Sequence, residues 1–78
     1  MREKTLRIIV SFHTTTDALA VEAYCSEHEI PGRLIPLPAI ISAGCGMCWS
    51  APAEARQSVT EAVKNAGVSD AGIYQMLL

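Results

Sequence analysis

Cys45 and Cys48 stand in a C-x-x-C spacing within Ile41-Ser42-Ala43-Gly44-Cys45-Gly46-Met47-Cys48-Trp49. At this separation one sulfur can attack a bond formed at the other, as thiol–disulfide exchange requires. Gly44 and Gly46 bracket Cys45. Glycine reaches backbone angles that other residues resist and lets a partner come close. The pattern predicts a thiol carried on a bend and sterically open, with Cys45 as the reactive residue and Cys48 as its neighbour in exchange. The third cysteine, Cys25, falls in a stretch read as the latter part of a helix, at the wrong end to join this loop. It is read as a small buried hydrophobe.

The chemistry needs a setting. The chain has 78 residues with a formal net charge of -2, and half of its residues are hydrophobic. That describes one small globular domain over residues 1–78. No basic run marks a nucleic-acid partner. No stretch is long enough to span a bilayer. Met1-Arg2-Glu3-Lys4 has the charge of a signal-peptide start, but the apolar run after it is short, contains Arg7 and leads to no small-residue cleavage site. An odd number of cysteines argues against a disulfide framework. The expectation is a cytoplasmic protein with reduced thiols, without a cofactor. No metal site is expected either, because Cys45, Cys48 and His13 fall short of the four ligands that zinc takes.

The elements that must position the loop follow from periodicity. Thr5 to Phe12 alternates as a strand, with Leu6, Ile8, Val10 and Phe12 on the core face and Ile9 among the polar residues of the other. Thr14 and Asp17 have the spacing of a capping box, opening a helix from Ala18 to Glu29 with Leu19, Ala20, Ala23 and Tyr24 on one stripe. Pro31-Gly32 ends it. Arg33 to Pro38 is an outer strand, since Pro36 lacks a donor. Met47 to Ala51 is a third strand, with Trp49 on one face and Cys48 on the other. Ser50-Ala51-Pro52 opens a second helix with apolar positions at Ala55, Val59, Ala62, Val63 and Ala66, capped by Gly67. Gly72 to Leu78 is a last strand whose inward face stays open between Tyr74/Met76 and Ile73/Leu77. The expected core is Ile8, Val10, Phe12, Leu34, Trp49, Val59, Ala62 and Val63.

The order β-α-β-β-α-β is that of the ferredoxin-like sandwich, an α+β fold with four antiparallel strands and two helices on one face. Chain direction then puts the turn between the second and third strands at the sheet end where the first helix starts. Cys45 is thereby expected beside His13, Thr14, Thr15 and Thr16. A helix N-terminus favours an anion, and a thiolate is one. His13 would help if protonated, or would relay a proton.

Several stretches also resemble one small bacterial family, described as "putative Se/S carrier protein-like". The resemblance runs through Phe12, Thr16-Asp17-Ala18-Leu19 and Glu22, then Ile30-Pro31, Leu34-Ile35-Pro36-Leu37-Pro38, and Ile41-Ser42 through Cys45-Gly46. It implies a carrier that holds sulfur or selenium on the cysteine of Cys-Gly, here Cys45. Cys48 lies outside the family pattern, which leaves a one-thiol and a two-thiol route both open. The leading reading is a persulfide or perselenide on Cys45, with Cys48 as a resolving thiol. Gly44, Gly46, Ser42, His13 and Thr14 to Thr16 shape and support the site. The partners would be donor and acceptor proteins. A small dithiol redox protein is the alternative within thiol chemistry. The alternative from another class is a non-catalytic module that forms a homodimer through the open sheet face, where Ile9 and Ile35 would otherwise meet water.

Overall fold

The computed structural model describes residues 5–41 and 46–77, and it begins with strand β1 (Leu6–Ser11). Helix α1 (Thr15–Glu27) follows, then β2 (Arg33–Pro36), β3 (Met47–Pro52), a short 3-10 turn (Ala53–Ala55), helix α2 (Arg56–Asn65) and β4 (Gly72–Leu77). The strands pair antiparallel in the order β2-β3-β1-β4, which is the ferredoxin-like arrangement. No helix among the described residues is long and apolar enough to cross a membrane.

Both helices pack on one sheet face. Ile8, Val10 and Phe12 of the β1 segment meet Trp49 and Ala51 of β3, Ala18, Val21 and Cys25 of α1, and Val59, Ala62 and Val63 of α2. Every expected core residue is buried there, except that Leu34 is only partly so. Leu6 departs from expectation at 42% exposed, because its cross-strand partner is the terminal residue Leu77 of β4. The sandwich ends there, and alternation alone does not say where a core stops.

The buried stripe of α1 is Ala18, Val21 and Cys25, not the Leu19-to-Tyr24 stripe expected from composition. Leu19 is 52% exposed and Ala23 is also on the surface. Three- and four-residue steps define either stripe, and the helix turns its smaller residues to the sheet. The helix also stops earlier than Glu29. Its end closes with the Ile30 N–H donating to the Cys25 carbonyl at 2.8 Å, while Glu29 takes φ +55°. This is the six-to-one bond of a Schellman cap, with a non-glycine residue in the left-handed position. Helix α2 closes in the same way at Gly67, with Val68 N–H donating to the Val63 carbonyl.

Ser50, Ala51 and Pro52 belong to β3 rather than to the second helix, which starts only after the 3-10 turn. Their side chains alternate between the two sheet faces, and Ala51 fills the core as a strand residue does. In β4, Ile73 stands opposite Val10 and packs on the helix side, whereas Met76 stands opposite Arg7 and packs on the other. That settles the orientation which periodicity left open.

The second sheet face is not bare. Ile9 and Cys48 are fully buried there together with Ile41, and Ile35, Leu37 and Met76 pack around them. Ile41 arrives through a turn in which its N–H donates to the Pro38 carbonyl at 3.0 Å. The chain thus covers its own apolar strip, and the Ile9 patch expected to drive a homodimer is absent. At the outer edge, Leu37 N–H donates to the Gly46 carbonyl at 3.0 Å and extends the β2–β3 ladder by one pair. Ladder alternation then turns the backbone of Leu34 and Pro36 outward, and proline has no N–H to offer a second chain.

Candidate functional site

Strand register fixes which segments share one end of the sheet. Ser11 pairs with Cys48, and Pro36 pairs with Met47. The end of β1 therefore lies beside the start of β3. From Ser11 the chain passes through Phe12 and His13 into Thr14, the N-cap of α1. Gly46 immediately precedes β3, so Gly46 and the His13–Thr16 segment occupy the same end of the sheet, as chain direction predicts. Ser42, Gly44 and Cys45 lie outside the described residues.

Gly46 is exposed and has φ +75°. A Cβ there would meet no atom within 4 Å, so glycine answers a conformational need rather than a lack of space. Thr14 adopts extended backbone angles and its side-chain oxygen accepts the Asp17 N–H at 3.1 Å. The expected N-cap is real, and Asp17 adds a carboxylate in the first turn. His13, Thr14, Thr15 and Thr16 are all exposed. The first turn thus offers the positive end of the helix dipole to the solvent side of this sheet end, with Asp17 already supplying one negative charge.

Cys48 sits differently from a surface thiol. It faces the side of the sheet opposite the helices, buried between Ile9 and Ile41, with its Sγ 3.9 Å from the Pro36 carbonyl oxygen. Cys25 is fully buried in the helix-side core, and burial pushes its thiol pKa up. It is the inert cysteine. The His28 ring stacks on Tyr24 at 4.0 Å between centroids. Among the described residues no group of three or more His, Cys, Asp or Glu side chains could hold a metal.

Two features escaped the sequence reading. One is the cover that Ile41 gives Cys48, which period-two alternation within strands cannot reveal. The other is Trp49. Its ring is core, as expected, but its Nε1 is buried with no hydrogen-bond acceptor. It lies against Gly32, where a Cβ would come within 2.4 Å of that nitrogen.

Together these observations define a class: a small α+β sandwich of ferredoxin-like topology whose β2–β3 hairpin carries a Cys-Gly step. The chain belongs to the family described as "Putative Se/S carrier protein-like", whose model matches residues 7–75. The carrier family suggests interaction with other proteins. No curated protein and no solved structure matches the chain.

Proposed function

We propose that the protein is a thiol-based carrier of sulfur or selenium, with Cys45 as the atom-bearing residue. The observation that carries the proposal is the register that puts Gly46, bonded to Cys45, at the sheet end where α1 begins. Helix N–H dipoles favour an anion at that end, and the thiolate is the nucleophile in sulfur transfer. His13, Thr14, Thr15 and Thr16 supply the polar surroundings, with Ser42 and Gly44 completing the loop. Family membership supports the choice of cargo.

Loading is an exchange in which the Cys45 thiolate attacks the outer sulfur of a donor persulfide. The new S–S bond forms on Cys45, and the donor leaves as its thiolate. Unloading has two routes. An acceptor thiolate can take the outer atom directly, returning Cys45 as thiolate. Alternatively, the Cys48 thiolate attacks the Cys45 sulfur, hydrosulfide departs, and a Cys45–Cys48 disulfide remains for an external dithiol to reduce. Burial of Cys48 in the cluster with Ile9 and Ile41 favours the first route. Selenium follows the same steps as a perselenide. Repeated cycling of a thiolate suits the reducing cytosol, and the partners are a donor enzyme and an acceptor.

Intact-protein mass spectrometry after incubation of the reduced protein with a persulfide donor tests the reading. Wild type and Cys48→Ala should gain the mass of one sulfur atom, reversible by dithiothreitol, and Cys45→Ala should gain none. Loading of Cys45→Ala would reject Cys45 as the carrier residue.

A further inference from the structure

We infer that the outer edge of β4 pairs antiparallel with the same edge of a second copy of this chain, about a two-fold axis at Gln75. The sheet register says which backbone groups are on offer. Leu37 N–H donates to the Gly46 carbonyl, so Ile35 and Cys48, one repeat along the same ladder, face each other with their backbone groups. Alternation across the sheet then points the backbone of Trp49 and Ala51 at Val10 and Ile8. It points that of Arg7, Ile9 and Ser11 at Met76, Tyr74 and Gly72. The N–H and C=O groups of Ile73, Gln75 and Leu77 are therefore directed away from β1. Among the described residues no strand lies beyond β4.

The composition of this edge selects the occupant. Natural sheets blunt a free edge with proline, charge or a bulge. The opposite edge does so, because β2 carries Arg33 and Pro36. Strand β4 reads Gly-Ile-Tyr-Gln-Met-Leu, without proline or charge. Its register with β1 is continuous, so no bulge bends it away. An uncharged strand meets its own copy without like-charge repulsion along the strand. Arg56 donates to the Gln75 side chain at 3.1 Å from the helix side, which leaves the outward backbone free.

Pairing about Gln75 is also self-complementary in its side chains. With Gln75 opposite Gln75 of the partner subunit, Ile73 stands opposite Leu77 and Tyr74 opposite Met76 of the partner subunit. Outward backbone groups then meet outward backbone groups, as an antiparallel hydrogen-bonded pair requires. Leu77 is 61% exposed and Tyr74 42% exposed in the single chain, and this register gives each an apolar cross-strand neighbour. Strand β2 lies at the far edge of each sheet, so the pairing is independent of the thiol chemistry.

Sedimentation equilibrium of the full chain, with reductant present to remove disulfide-linked species, should show a reversible monomer–dimer equilibrium at micromolar concentration. Amide hydrogen exchange should separate edge from ladder. The amides of Ile73, Gln75 and Leu77 should be protected in concentrated protein and released on dilution, while those of Tyr74 and Met76 stay protected in both. Gln75 is exposed, and Gln75→Lys puts like charges opposite each other at the axis, which should weaken the dimer roughly tenfold or more. An equimolar mixture of Gln75→Lys and Gln75→Glu should recover it, since opposite charges then face each other. Monomer at every concentration overturns the proposal. So does a dimer that Gln75→Lys leaves intact, a mixture that recovers nothing, or edge amides that do not respond to dilution.

Discussion

At the scale of single residues, the two described cysteines are buried on opposite faces of the sheet. Cys25 is held in the core among Ala18 and Val21, where nothing compensates a charge, and its pKa rises by desolvation. A raised thiol pKa stabilises the fold fully below the unfolded value. Above the ordinary thiol value of about 8.5, the unfolded chain loses the proton first and stability falls as pH climbs towards the raised folded value. Urea unfolding of wild type and Cys25→Ala, in the Cys45→Ala/Cys48→Ala background, should therefore show the Cys25 protein losing its advantage above that pH. A constant difference across the range would mean that Cys25 titrates equally in both states. Cys48 is buried on the other face, in a cluster with Ile9 and Ile41.

At the scale of elements, the caps govern where each helix begins and ends. Thr14 is legible in the sequence because a hydroxyl three residues before Asp17 is a local signal. The end of α1 is not, since Glu29 is an improbable left-handed residue and is held there by the bond from Ile30 to Cys25. The left-handed conformation costs a non-glycine residue roughly 1–2 kcal/mol, partly offset by the entropy glycine loses on folding. Glu29→Gly is thus expected to stabilise the protein by about 0.5–1 kcal/mol in chemical denaturation, and a destabilising result would deny the strain. The buried stripe of α1 departs from the expected one for a related reason. Ala18, Val21 and Cys25 are small, and only the close approach of the helix to Trp49 and Val10 selects them over the larger Leu19. Helix α2 read correctly because Val59, Ala62 and Val63 leave one apolar face and Gly67 marks its end.

At the scale of the whole molecule, β-α-β-β-α-β order and chain direction were enough to foresee that Gly46 and the α1 start share one end of the sheet. What they could not foresee is that Leu37 and Ile41 pack on the second face, because they meet Ile9 and Cys48 only through tertiary packing. That cover has a consequence. Ile41→Ala should raise the alkylation rate of Cys48 roughly tenfold by easing local opening, and an unchanged rate would place the barrier elsewhere. The central claim concerns Cys45 and the end of the sheet it adjoins through Gly46. The most direct measurement is the pH dependence of alkylation, read cysteine by cysteine by mass spectrometry in the reduced native protein. Cys45 should react fastest and with a midpoint well below the unperturbed thiol value of about 8.5, with Cys48 slower and Cys25 protected until the chain unfolds. If Cys45 instead titrates at the value of an unstructured thiol, the α1 terminus does not stabilise its anion and the account is contradicted.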